Sequence, residues 1–146
     1  MSKITIAAAS ILLLLCSMLA GAADAATSNH AAAKTSAVKA ASAWLKIIDG
    51  GKYGDSWKDA SSFFKSHVSE QQWVQQVGPA RGALGAVVSR KVKTTTYLTT
   101  MPGAPDGQYV VIQYQTSFVH KKSAVETVTP MLDSDGNWRV SGYYIR

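Results

Sequence analysis

Residues 85–98, GAVVSRKVKTTTYL, mark the point at which the spacing of apolar residues changes from a helical period to a strand period. Before Gly85, apolar residues recur every three or four positions, which is typical of one face of a helix. From Val87 to Leu98, valine, threonine and tyrosine dominate, as they do in β-strands. The sequence therefore predicts helices in its first half and strands in its second.

Four strands are predicted after Gly85: Val87–Leu98, Gln108–Phe118, Val125–Leu132 and Trp138–Ile145. The turn MPGAPDG at 101–107 follows the first strand, HKKS at 120–123 follows the second, and DSDGN at 133–137 follows the third. Pro130 cannot donate a hydrogen bond to a neighbouring strand, so it predicts an edge position or a bulge.

Three helices are predicted before the strands. The first covers about 31–49 and ends at Asp49-Gly50-Gly51, and the second covers 53–68. Ser69 opens an S-x-x-Q capping box for the third, which Gly78-Pro79 should interrupt. Helices followed by sequential strands predict an α+β fold, in which N-terminal helices pack on a four-stranded antiparallel sheet.

The first 26 residues have the pattern of a secretory signal peptide. Lys3 is a short basic region, residues 4–23 carry no charge, and small residues follow at 20–25. We therefore predict a signal peptide at 1–26, a short tether at 27–32 and a single α+β domain at 33–146, with export to the periplasm or out of the cell. The alternative is an uncleaved anchor, because the uncharged run is just long enough to cross a bilayer.

Composition excludes several classes of protein and of site. The chain has 146 residues, a net charge of +6, 47% hydrophobic residues and one cysteine, which excludes a disordered chain, a disulfide scaffold and a coiled coil. Cys16 lies in the leader, so the mature chain would have no thiol. The three histidines are scattered, and Asp133-x-Asp135 lacks the spacing of a calcium loop. We predict no catalytic residues, no metal site and no cofactor.

Three charged residues are the strongest candidates for a ligand-binding site. Glu126 and Arg90 each lie on a strand face that carries apolar residues, and Arg81 precedes the first strand. A charge on an apolar face must be paired, so we expect Arg90 and Glu126 to meet between sheet and helices, with Arg81 as a further candidate. Two interpretations stay open: a structural ion pair that fixes strand register, or a pair that binds a ligand in a pocket.

Aromatic and basic residues suggest two further surfaces. Trp57, Tyr114 and Trp138 are candidates to bound an apolar pocket, although a packed core accounts for them equally well. The basic residues 90–93 and Lys121-Lys122 suggest an edge that meets anionic envelope components rather than nucleic acid. The alternative is a solvated edge that prevents strand pairing.

A series of short motifs occurs in fixed order over about residues 38–146. The blocks include Trp44-x4-Asp49-x-Gly51-x-Tyr53, Gln72-Trp73, Arg81-x2-Leu84-Gly85, Ser89-Arg90, Pro102-Gly103-x-Pro105, Glu126-Thr127-Val128 and Asp135-Gly136-x-Trp138-Arg139-Val140. In this order they resemble a known bacterial family, the domain of unknown function 4019. The resemblance implies an exported bacterial protein without an assigned activity. By analogy of layout, the domain is similar to cone-like domains of the nuclear-transport-factor-2-like or cystatin-like type.

Three functions from different classes follow, in order of preference. The first is a non-catalytic exported module that binds a small ligand or a peptide. The second is an envelope-surface interaction protein that uses its basic edge. The third is an enzyme in which Glu126 acts as general base and Arg90 stabilises an anion. No nucleic-acid partner and no membrane span after leader removal are expected.

Overall fold

The structure is a computed structural model that describes residues 12–146, with side chains from residue 26 onward. The basic start of the predicted leader and much of its apolar run therefore lie outside the described residues. The chain divides between Ala32 and Ala33 into two compact units. The core, the sheet and the candidate site belong to the second unit. Among the described residues, no helix combines the length and the apolar character that crossing a membrane would need.

The first helix, α1, spans Leu12–Asp49. It begins well before the predicted start near residue 31 and includes the segment 27–32, whose side chains are exposed. Alanine, the strongest helix former, is the commonest residue of that region, and no proline occurs in it. The predicted end at Asp49 is confirmed, and Gly51 follows with a φ of +71°, a conformation that favours glycine.

The predicted second helix is two short helices, α2 at Tyr53–Lys58 and α3 at Ser62–His67. Ser61 separates them because its backbone N–H bonds to the carbonyl of Val140, while its hydroxyl accepts from the N–H of Phe64 as an N-cap. The helical spacing of the apolar residues continues across this break. Periodicity alone therefore did not reveal it.

The fourth helix, α4, spans Glu70–Leu84 and begins at the predicted capping box of Ser69 and Gln72. The prediction that Gly78-Pro79 would interrupt it is wrong. Pro79 is exposed. Because proline has no backbone N–H, the helix lacks one hydrogen bond at this position. The helix ends at Leu84, and Gly85 caps it. The φ of Gly85 is +76°, and a Cβ at this position would lie 2.8 Å from the ring of His120.

Four strands form an antiparallel sheet in the order β1-β2-β3-β4. Their bounds are β1 Val87–Leu98, β2 Tyr109–Phe118, β3 Ala124–Leu132 and β4 Trp138–Ile145. The four predicted strands and the α+β class are thereby confirmed. Pro130 lies in a central strand rather than at an edge, and the register of β3 with β4 shifts between Thr129 and Pro130, which matches the predicted bulge.

The core lies between the helices and one face of the sheet. Most of its members are residues of α1, α3 and α4 together with inward-facing residues of β2, β3 and β4, including Trp44, Ile48, Phe64, Trp73, Val77, Ile112, Val128 and Val140. The indole of Trp44 packs edge-on against Tyr143 with ring centroids 5.3 Å apart. This packing brings the end of α1, the middle of α4 and the end of β4 together, which is where the candidate site lies.

Candidate functional site

Four charged side chains from four different elements meet at one edge of the core, and we call them the ionic cluster. They are Asp49 at the end of α1, Arg81 of α4, Arg90 of β1 and Glu126 of β3. The predicted contact between Arg90 and Glu126 is present, and Arg81 joins it. The two guanidinium groups and two carboxylates carry formal charges that cancel. The cluster is therefore neutral as a whole.

Arg90 binds both carboxylates in a forked geometry. Its Nε donates to Oε2 of Glu126 at 2.6 Å, and its Nη2 donates to Oε1 at 3.1 Å. Nη1 and Nη2 also donate to the two carboxylate oxygens of Asp49, at 2.7 and 3.0 Å. A planar guanidinium with fixed donor directions suits such double pairing, whereas a lysine ammonium does not. Arg90 therefore fixes the end of α1 to the first and third strands.

Glu126 is fully buried, and its carboxylate is surrounded by donors. Besides Arg90, Thr116 donates its hydroxyl to Oε2 at 2.6 Å and Tyr143 donates to Oε1 at 2.7 Å. Arg81 Nη1 reaches the same Oε1 at 3.5 Å. A general base needs an oxygen that faces a substrate proton. Because both oxygens of Glu126 already accept from the protein, this arrangement disfavours Glu126 as a base.

Arg81 links the ionic cluster to α4. Its Nη2 donates to Asp49 at 2.9 Å, its Nη1 donates to the Tyr143 hydroxyl at 3.1 Å, and its guanidinium lies 4.9 Å from the centre of the Phe118 ring. The Nε of Arg81 is buried without a hydrogen-bond partner. A buried donor left unpaired costs about 1–3 kcal/mol. Arg81 therefore keeps one buried donor nitrogen without an acceptor.

Hydrogen bonds and charges from the two arginines keep Asp49 ionised against the effect of burial. Burial alone would raise the pKa of Asp49, but hydrogen bonds and charges from Arg90 and Arg81 outweigh it and lower that pKa below 3.8. Burial, followed by the negative charge of Glu126, raises the pKa of Tyr143 far above its usual value. Tyr143 is therefore a neutral hydroxyl that passes a hydrogen bond from Arg81 to Glu126.

The depressed pKa of Asp49 predicts a specific acid sensitivity. A carboxylate whose pKa is lower in the folded state contributes its full stability above the unfolded pKa, about 3.8, and loses it as pH falls through the folded value. We expect native protein to melt higher than Asp49→Asn by a constant margin between about pH 7 and about pH 5, and the margin to shrink towards about pH 2. Thermal denaturation across this range measures it. A margin that is unchanged on acidification contradicts the proposed pairing.

A groove beside the ionic cluster has a volume of about 370 Å³. It lies between α4 and β4, the last strand of the sheet. One face of α4 supplies one wall, the hairpin between β2 and β3 supplies a lysine, and the end of β4 supplies the other wall. Its lining residues are Trp73, Gln76, Val77, Ala80, Arg81, Leu84, Lys121, Tyr143, Tyr144 and Ile145. Arg81 and Tyr143 belong to both the groove wall and the cluster network.

The predicted aromatic pocket is not assembled from its three proposed members. Trp57 is half-buried and donates its indole N–H to the carbonyl of Val68 at 2.7 Å. Tyr114 is buried in the core, where burial raises its pKa. Trp138 lines a separate cavity of about 240 Å³ with Trp44 and Arg139, and neither Trp57 nor Tyr114 borders that cavity. The ligand-binding roles proposed for these three residues stay predictions.

Sequence reasoning missed Asp49, Thr116 and Tyr143 as members of the network. Asp49 carried a usable signal, because an acid in the last turn of a helix is disfavoured by the helix dipole and so suggests a paired charge. Thr116 alternates with the buried Tyr114 and Phe118, which places it on the inner face of β2. For Tyr143 no comparable signal existed, since two tyrosines are adjacent in β4 and either could face inward.

Among the described residues, no group of three histidine, cysteine, aspartate or glutamate side chains could hold a metal ion. The two carboxylates of the ionic cluster face arginines instead. The site therefore offers hydrogen-bond donors, a cationic surface and apolar walls, which together suit binding.

The comparison with known families matches this domain. The model of the family described as "Protein of unknown function (DUF4019)" matches residues 40–143. The chain belongs to the DUF4019 family. No curated protein matches the chain as a relative. All four members of the ionic cluster, and eight of the ten residues that line the groove, fall within the matched part of this DUF4019 chain.

Proposed function

We propose that this DUF4019 protein is an exported, non-catalytic module that binds a small ligand in the groove between α4 and β4. The observation that carries the proposal is the groove itself. Its volume of about 370 Å³ falls in the range of small-molecule sites, and its walls combine apolar side chains with a few polar groups. The leader pattern of residues 1–26 supports export.

The state of the ionic cluster supports binding over catalysis. An enzyme that used Glu126 as its base would have to release at least one of the donors that now hold the carboxylate. Breaking a buried pair is costly because the remaining charges stay desolvated. The cluster instead supplies rigidity, since it fixes α4 to the sheet and thereby holds one wall of the groove. A groove held in this way loses little entropy on binding.

Filling the groove tests this function. Ala80 is exposed on α4 and lines the groove, so Ala80→Trp should occupy the ligand volume and leave the core unchanged. We expect native mass spectrometry of the protein purified from its own compartment to show a retained small molecule, and the Ala80→Trp variant to lose it. Melting temperature should change little, because the substitution is at the surface.

Ala83→Trp is the matched control, because Ala83 is also exposed on α4 but does not line the groove. A ligand lost from both variants, or from neither, contradicts the proposed site.

The second candidate function, contact with an anionic envelope surface, is favoured by the exposure of Lys91 and Lys93 on β1 at the edge of the sheet. Binding to anionic vesicles that persists in Ala80→Trp and weakens with salt would support it.

A further inference from the structure

The groove is lined by cationic side chains and by no carboxylate. Arg81 and Lys121 are cations, Tyr143 and Tyr144 are phenols, and no carboxylate is among the described residues that line it. The two acids nearest to Arg81, Asp49 and Glu126, are already held by guanidinium groups. A groove that carries cationic side chains and no carboxylate attracts an anionic ligand and disfavours a cationic one.

Lys121 is the cation that is free to bind. It is exposed at the tip of the β2–β3 hairpin, and it forms no ion pair with any described residue. The hairpin itself is well fixed, because the backbone N–H groups of Val119 and His120 donate to the carbonyls of Ala86 and Leu84. The position of Lys121 at the groove is therefore set by backbone contacts that do not involve its side chain.

Arg81 supplies a second, buried donor. Its side chain is 5% exposed, and its Nε is the one guanidinium nitrogen of the cluster that has no hydrogen-bond partner. An unpartnered donor on a buried cation that borders a cavity points to an acceptor oxygen from outside the chain. A carboxylate oxygen satisfies such a donor better than a neutral oxygen, because the hydrogen bond is assisted by charge.

The remaining walls are apolar. Val77, Leu84 and Ile145 contribute aliphatic surface, and Trp73 contributes the face or edge of an indole. These residues would cover the body of a ligand, whereas the cations lie beside its charged end. A purely polar anion such as inorganic phosphate would leave this apolar surface in contact with water and gain nothing from it.

We propose that the groove binds a small amphipathic carboxylate, whose charged end pairs with Lys121 and Arg81 and whose apolar body lies against Trp73, Val77 and Leu84. This inference rests on the proposed binding function and names the chemical class of its ligand. A peptide is the other occupant that such a groove beside an edge strand admits, and it is an outcome of the test below.

The test compares three probes that share one apolar body and differ in charge: octanoate, octanamide and octylamine. Calorimetric titration of the native chain should show octanoate binding at least about tenfold more tightly than octanamide, and octylamine binding more weakly than either. The variant Lys121→Glu should bind octanoate at least about tenfold more weakly. Lys122→Glu is the matched control, since it makes the same charge change on an exposed neighbour that does not line the groove.

The results separate the inference from the function it rests on. If the amide or the amine binds as tightly as the carboxylate, or if Lys122→Glu weakens binding as much as Lys121→Glu, the inference is wrong although a binding groove remains. If none of the three probes binds while native mass spectrometry shows a retained peptide or an uncharged small molecule, the inference is also wrong and the binding function stands. Absence of both probe binding and a retained ligand overturns the two together.

Discussion

Replacing Glu126 with alanine is expected to destabilise the fold by about 3–5 kcal/mol, because the change leaves the buried Arg81 and the largely buried Arg90 with only Asp49 to balance them. The loss is large beside a total stability of roughly 5–15 kcal/mol for a domain of this size. Urea denaturation followed by circular dichroism measures it. Glu126→Gln should destabilise as well, since it keeps the shape of the side chain and removes its charge.

Asp135→Ala is the matched control for this prediction. Asp135 also accepts from both terminal nitrogens of an arginine, Arg139, at 2.8 Å each, but its side chain is 52% exposed. Exposed ion pairs contribute little because water solvates both partners. We therefore expect a far smaller change from Asp135→Ala. Equal loss of stability in the two variants would show that burial of the ionic cluster does not govern its contribution.

Replacing Trp44 with alanine is the second large effect, with an expected loss of about 3–5 kcal/mol. The indole is 1% exposed and donates to the carbonyl of Ser56 at 2.8 Å. Its removal leaves a cavity between α1 and α4 and an unpaired buried carbonyl. It also removes the edge-on contact with Tyr143, a member of the network around Glu126. Urea denaturation again gives the free energy of unfolding.

Trp57→Ala provides the comparison for Trp44. Trp57 makes the same type of hydrogen bond, from its indole N–H to the carbonyl of Val68, but it is only half-buried. Each variant loses one hydrogen bond of the same type. The difference between their free energies of unfolding therefore reports the apolar surface that each indole buries and the cavity that its removal leaves. We expect Trp57→Ala to lose at least about 1 kcal/mol less than Trp44→Ala. A larger loss at Trp57 would contradict the assignment of Trp44 to the centre of the core.

The strands were predictable because their signal is local. Alternating residues and turn-forming clusters marked all four within one residue at each end, as at Val87–Leu98. The helices were harder, because tertiary contacts override local pattern there. The hydrogen bond from Ser61 to Val140 divides a segment with one continuous helical spacing. At Pro79, by contrast, a strong local breaker was tolerated on an exposed face.

Only part of the ionic cluster, the pairing of Arg90 with Glu126, was predicted from the sequence. Charges on apolar strand faces indicated that Arg90 and Glu126 would pair, although Val88 and Val92, which flank Arg90 in β1, are themselves exposed. The pairing followed from the cost of burying Glu126. The groove could not be predicted, because it depends on the distance between α4 and β4, and no spacing within the sequence encodes that distance.

The aromatic cluster gives this protein an intrinsic optical signal. Trp73 lines the groove, and its ring lies 5.9 Å from that of Trp44 and 6.3 Å from that of Tyr143. Indole emission depends on the polarity around the ring, and displacement of water from the groove changes that polarity at Trp73. Occupation of the site is thus expected to alter tryptophan fluorescence, so binding can be followed in the unlabelled protein.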